Sequence, residues 1–145
     1  MTLRSLLASS NYEVKTIGPK IRVETACALL DRNRIGALPV VDGDGALLGI
    51  VSERDVVRVI AARGTAGLLM PVDEVMTRHV ITVTSDASVK EAMQMMDSRR
   101  IRHLPIMDGD RLVAIISVRD VIKYRLQETE MEKNVLRDFA VAQMH

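Results

Sequence analysis

The chain repeats itself, and that constrains its fold more than any other feature. Ile35-Gly-Ala-Leu-Pro-Val-Val-Asp-Gly-Asp44 returns as Ile101-Arg-His-Leu-Pro-Ile-Met-Asp-Gly-Asp110, an offset of 66 residues. The same offset relates Thr16 to Thr82, Val23 to Val89, Ala26 to Ala92 and Asp31 to Asp97. One residue is then lost, and Ile50-Val-Ser-Glu-Arg-Asp-Val56 matches Ile115-Ile-Ser-Val-Arg-Asp-Val121 at an offset of 65. Repeats of about sixty residues are too small to be comfortable alone, so the two are expected to bury a shared face.

Periodicity gives both repeats the same order, β-α-β-β-α. An extended stretch, Val14–Ile17 or Val80–Val83, precedes an amphipathic helix over 23–33 or 88–99. Two β-rich runs follow, Ala37–Val41 with Leu47–Val51 and Leu104–Met107 with Leu112–Ile116. Asp42-Gly-Asp-Gly45 and Asp108-Gly-Asp110 have hairpin-turn chemistry between them. A second helix, 53–63 or 118–127, closes each repeat. The expected fold is α+β (α/β-like), with the tandem repeats packed sheet to sheet into one pseudo-two-fold module. A first domain over 1–64, a linker over 65–71, a second domain over 72–127 and a charged helical tail over 128–145 are expected. Met131, Val135, Leu136 and Phe139 give that tail an apolar edge, suited equally to packing on its own domain or to a dimer contact.

Composition removes several functions. Twenty Lys and Arg balance 19 Asp and Glu for a net charge of +1, which argues against a nucleic-acid or membrane-surface protein. Tyr12, Tyr124 and Phe139 are the only aromatics, too few for a stacking platform. Cys27 is the only cysteine, so no disulfide can form within the chain and no cysteine metal site exists. It lies in a helical pattern beside Ala26 and Ala28 and reads as a small buried apolar residue. With no apolar run long enough to span a bilayer and no signal-peptide pattern in MTLRSLLASSNYEVK, a cytoplasmic protein is expected.

Most apparent motifs fail. Gly43-Asp-Gly-Ala-Leu-Leu-Gly49 joins two strands, whereas a dinucleotide loop joins a strand to a helix. Asp42-x-Asp44 has strand residues where a calcium loop needs its later ligands. His79, His103 and His145 lack metal spacing, and no nucleophile stands with a base and an orienting group. An enzyme is not expected, nor a catalytic cofactor or a metal.

Ser52-Glu-Arg-Asp55 and Ser117-Val-Arg-Asp120 survive, each where a buried strand hands over to a helix. Free amides and the positive end of the helix dipole welcome a phosphate there, and the serine hydroxyl can join them. A carboxylate one turn in can accept both hydroxyls of a ribose, and Arg54 and Arg119 can neutralise phosphate. Ser-x-x-Asp is also close to a helix capping box, so the residues alone leave cap and ligand site both open.

Over roughly residues 3–127 the chain resembles the CBS domains, which occur in tandem as a pair (a Bateman module). The likeness rests on Ile-x-x-Leu-Pro-Val-Val-Asp at 35–42 and its echo at 101–108. The runs at 49–55 and 114–120, with Val75-Met-Thr77, complete it. It implies a stand-alone regulatory module binding an adenine nucleotide of the AMP, ADP or ATP type, with S-adenosylmethionine or NAD(H) as further candidates. By position, Ser52 and Ser117 would meet phosphate, and Asp55 and Asp120 would hold ribose. Thr16 with Ile17, and Thr82 with Val83, would flank adenine. Gly36 and Ala37 before Pro39, and Arg102 and His103 before Pro105, would form the cleft lips. Ala114 replaces the glycine of the first repeat, and Gly18-Pro-Lys20 stands opposite Thr84-Ser-Asp86, so unequal sites are expected. The resemblance also implies a homodimer and an unknown downstream protein. A ligand-free dimerisation or interaction module is the competing reading. A nucleic-acid binder using Arg99, Arg100, Arg102 and His103 is disfavoured by the charge balance.

Overall fold

The computed structural model describes residues 1–10 and 12–144. Its elements are α1 (Leu3–Ala8), α2 (Val23–Asn33), β1 (Ala37–Val41), β2 (Leu47–Ser52), α3 (Glu53–Arg63), β3 (Val83–Thr84), α4 (Val89–Arg99), β4 (His103–Asp108), β5 (Arg111–Ser117) and α5 (Val118–Gln143). Short 3-10 segments, Gly64–Leu69 and Val72–Glu74, lie in the connection between the repeats.

Each repeat is built on an antiparallel hairpin. Ala37 pairs with Ser52 in β1–β2, and His103 pairs with Ser117 in β4–β5. One face of each sheet is closed by helices. Leu38, Val40 and Val51 pack with Val23, Ala26, Val56 and Val59 in the first core. Leu104, Ile106 and Ile116 pack with Val89, Ala92, Met96 and Val121 in the second.

Two expectations need correction. The first strand is nearly absent from repeat one. Only Ile17 pairs, as an isolated parallel bridge to Val40, through Ile17 N–H to Pro39 O at 3.0 Å and Val41 N–H to Ile17 O at 2.9 Å. Gly18-Pro19 follows at once, and proline has no N–H with which to extend a ladder. In repeat two the strand is Val83–Thr84, parallel to β4, and not the longer Val80–Val83. The last helix also runs beyond 127, to Gln143. Val118–Gln143 contains no glycine or proline and is rich in strong helix formers, so nothing stops it where the repeat ends.

The segments leading into the repeats are exchanged. Leu3, at the start of α1, is fully buried in the second core, with Leu6 and Leu7 packed against the same cluster. Leu3 N–H donates to Ala87 O and Arg4 N–H to Ser85 O, each at 2.9 Å, while Arg4 pairs with Asp86. Conversely, Val72 and Met76, which lead into repeat two, lie in the first core. Val72 N–H donates to Ile21 O at 2.8 Å, and Val23 N–H donates to Met70 O at 2.9 Å.

Candidate functional site between the repeats

At the end of β2 the backbone of Ser52 is extended, with φ −115° and ψ 167°, and α3 begins at the next residue. Ser52 Oγ accepts from Asp55 N–H at 3.3 Å. Asp55 Oδ2 in turn accepts from Ser52 N–H at 2.8 Å and Ser52 Oγ at 3.0 Å. This is a reciprocal capping box that satisfies two amides otherwise left open at the helix start. Ser117 and Asp120 build the same box on α5: Asp120 N–H donates to Ser117 Oγ at 3.1 Å, and Ser117 N–H donates to Asp120 Oδ2 at 2.8 Å. The capping alternative is therefore realised at both corners.

A cavity of about 320 Å³ nevertheless opens beside Asp55, within the size range of small-molecule sites. Both repeats line it. Gly36, Ile50, Ser52, Arg54 and Asp55 come from the first, and Arg100, Ile101, Arg102 and His103 from the second. Asp55 is buried at 5% exposure. Its Oδ2 is committed to the cap, but Oδ1 is held only by Thr77 Oγ1 at 3.3 Å and faces Arg58 at 3.8 Å. That oxygen is the acceptor left to the cavity. Four arginines, 54, 58, 100 and 102, face two carboxylates, Glu53 and Asp55, so the walls favour an anion. Arg100 reaches the site from the left-handed C-cap of α4, at φ 54°.

His103 closes the cavity against Gly36. A Cβ built on Gly36 would lie 3.0 Å from His103 Nε2, so the glycine is what lets the imidazole in. Burial pushes the His103 pKa below its ordinary 6.5, opposed by Asp120 and Glu53 and reinforced by Arg102.

Of the residues singled out in sequence, Gly36, Ser52, Arg54, Asp55, Arg102 and His103 meet in this cavity. Ala37, Pro39 and Pro105 are buried within their hairpins, and Ile17 is buried in the first core. Thr16 lines a separate open hollow between the two hairpin turns. Thr82 is exposed and Val83 packs toward the second core, while the cavity takes Val80 and Ile81 from that segment. Ser117 and Asp120 form the second corner, with Arg119 exposed beside them. Sequence reasoning missed Thr77, Arg58 and His79 as lining residues. Arg58 sits one turn after Asp55 on the same helix face, a spacing that could have revealed it.

Sequence reasoning also missed Tyr12 at the second corner. Burial, and next the charge of Asp120, push its phenol up to about 12, while a backbone hydrogen bond to Ile115 opposes the shift. Tyr12 corresponds by the offset of 66 to Arg78, whose guanidinium donates to Asp73 O at 2.7 Å and does not line the first cavity.

The CBS domain family model matches residues 6–62 and 72–127, one stretch in each repeat. The chain belongs to the CBS-domain family. The CBS domain-containing protein YhcV of Bacillus subtilis is 34% identical over 119 residues, covering 82% of this chain and 84% of that protein. The CBS-domain containing protein ATU1752 of Agrobacterium tumefaciens superimposes with a TM-score of 0.80 at 37% identity, over 86% of this chain and 98% of that one. The CBS domain pair of protein MJ0100, solved with 5′-methylthioadenosine and S-adenosyl-L-methionine, superimposes with a TM-score of 0.75 at 27% identity, over 86% and 98% of the two chains. The fold is thus that of a CBS pair. No helix of the described residues is long and apolar enough to cross a membrane. No group of three His, Cys, Asp or Glu among them could hold a metal ion.

Proposed function

We infer that the chain is a non-catalytic regulatory module that binds an adenine nucleotide in the cleft beside Asp55. One observation carries this reading: a cavity between the repeats places a partly uncommitted carboxylate oxygen opposite an arginine-rich wall. Asp55 Oδ1 would accept a ribose hydroxyl. Arg54, Arg100 and Arg102 would take phosphate oxygens, and Ile50, Val80, Ile81 and Ile101 would cover the base. The adenosyl ligands bound by MJ0100 support an adenosyl class. The wall's positive charge favours AMP, ADP or ATP over the sulfonium cation of S-adenosylmethionine, and NAD(H) also carries suitable phosphates. The Asp120 corner, with Tyr12 in it, is the weaker site. Ligand would act on a downstream protein only through unequal affinity for two arrangements of the repeats. The single cysteine fits a cytoplasmic setting.

Thermal unfolding with AMP, ADP, ATP, NAD(H) and S-adenosylmethionine tests this. A ligand at 100 times its dissociation constant stabilises by about 2.7 kcal/mol, a readily measured melting shift. Phosphate-bearing ligands should raise the melting point and S-adenosylmethionine should raise it less. A flat response to every ligand at saturating concentrations would reject nucleotide binding. The competing reading, a ligand-free interaction module, draws on the two capping boxes, which account for Ser-x-x-Asp without any ligand.

A further inference from the structure

The two lead-in segments are seated by the same backbone chemistry. Leu3 is fully buried in the second core and Val72 in the first. Leu3 N–H donates to Ala87 O at 2.9 Å, and Val72 N–H to Ile21 O at 2.8 Å, with Ile21 and Ala87 equivalent by the offset of 66. Arg4 N–H donates to Ser85 O at 2.9 Å, and Asp73 N–H to Pro19 O at 3.1 Å, again at equivalent acceptors. Val89 N–H donates to Met1 O at 3.1 Å, and Val23 N–H to Met70 O at 2.9 Å. Met1, Leu3 and Arg4 thus stand where Met70, Val72 and Asp73 stand on the other repeat, an offset of 69. Neither the apolar residue nor the main chain tells one seat from the other.

Charge does, and it is reversed between them. The seat on the first repeat carries Lys20, which donates to Asp73 Oδ2 at 2.8 Å. The equivalent residue on the second repeat is Asp86, which pairs with Arg4. Arg4 also donates to Ser85 Oγ at 2.8 Å and lies 3.7 Å from Asp108, whereas Pro19 stands in the place of Ser85 and offers no hydroxyl. If each segment sat on its own repeat, Arg4 would face Lys20 and Asp73 would face Asp86. Asp73 is the member most sensitive to a wrong neighbour. Its side chain is 17% exposed, and its Oδ1 is buried with no hydrogen-bond partner among the described residues. A like charge beside such a carboxylate is costly. The Arg4–Asp86 pair is exposed and weak by itself, and its part is to make the unexchanged arrangement repulsive at both seats.

We propose that these two ion pairs of opposite sense are an address: they direct each lead-in segment to the other repeat and turn it away from its own. Specificity here is a difference between two seats, achieved as much by repulsion at the wrong one as by attraction at the right one. A segment of the wrong sign meets a like charge at a seat whose apolar residues and carbonyls would otherwise accept it. The proposal concerns how the chain closes on itself and does not depend on nucleotide binding.

Competitive cross-linking within the full-length chain tests it. Thr2 bridges Ser88, and Pro71 bridges Arg22 in the same antiparallel way. In a Cys27→Ala chain carrying Thr2→Cys, Arg22→Cys and Ser88→Cys, mild oxidation and peptide mapping measure whether position 2 links to 88 or to 22. With the natural charges the link to 88 should exceed the link to 22 by about tenfold or more. Adding Lys20→Asp with Asp86→Lys should move that ratio about tenfold or more toward 22. Adding Arg4→Asp with Asp73→Arg to that chain should return it to 88. Circular dichroism follows folding at each step. If the first pair of reversals prevents folding, the second pair should restore it, and failure to restore it would overturn the proposal. So would a link that stays at 88 despite Lys20→Asp with Asp86→Lys. The neutral chain, Lys20→Gln with Asp86→Asn, should show a lowered preference for 88. An unchanged preference there would overturn the proposal too, because packing and connectivity would then choose the seat without charge.

Discussion

The two Ser-x-x-Asp corners descend from one motif and make the same capping box, yet their surroundings differ. At the first, Asp55 is buried, Thr77 donates to its free oxygen, and a cavity opens against the arginines of the other repeat. At the second, Asp120 is half-buried and Tyr12 stands beside it. The connecting segments make the difference. Thr77 bridges Ile50 with hydrogen bonds of 2.8 and 3.0 Å, which fixes the wall of the first cavity. That close approach demands Gly49, because a Cβ there would lie 2.7 Å from both Met76 Sδ and Thr77 O. The second repeat carries Ala114 at the matching place, 1% exposed and packed in its core. A short consensus sequence therefore specifies a helix cap reliably, while the ligand space around it is set by what leads into each repeat.

Substitutions can break this comparison. The largest effect is expected from Asp55→Ala, which strips three hydrogen bonds from a buried corner and should cost about 3 kcal/mol in chemical denaturation. Asp120→Ala removes mainly a cap and should cost about 1 kcal/mol. Melting with saturating ATP sharpens the contrast: the gain should vanish in Asp55→Ala and persist in Asp120→Ala. Equal losses in the two variants would mean that the corners are equivalent. Next, Gly49→Ala should destabilise by about 2 kcal/mol through overpacking against Met76 and Thr77. The reverse change, Ala114→Gly, should cost about 1 kcal/mol through chain entropy and one lost methyl.

Tyr12→Ala should uncover the second corner, and titration calorimetry should then detect a second nucleotide per chain. An unchanged stoichiometry would assign the asymmetry to Asp120 itself. The smallest effect concerns pH. Because burial holds the His103 pKa below the unfolded 6.5, the unfolded chain takes up the proton first as pH falls. The neutral ring's contribution should be intact above about pH 6.5 and should erode as pH drops toward the folded value. His103→Gln should flatten that slope in denaturation series across the window.

Much of this was legible in the residues. The repeat offsets placed both hairpins and α2 and α3 within a residue or so of their observed limits, because alternating and helical apolar spacing act locally. The Ser-x-x-Asp motif draws attention to Ser52 and Asp55, and the resemblance to CBS domains to Gly36, Arg102 and His103; all five line the cavity. The limits of the first strands were not legible: Ile17 alone of Val14–Ile17 pairs, with Pro19 lacking the N–H to extend the ladder beyond it, and the second repeat's strand is Val83–Thr84. Neither were Thr77 and Tyr12, whose roles arise from a connection folding onto a distant strand. The length of α5 was missed because repeat boundaries were taken to be helix boundaries.

The exchanged lead-in segments carry a consequence for how the molecule comes apart. Each half carries the lid of the other: Leu3 seals the later core, and Val72 with Met76 seals the earlier one. Melting either half pulls a plug from its neighbour, so heat should find a single transition. Neither half, cut out and expressed by itself, would bring the cover its interior needs.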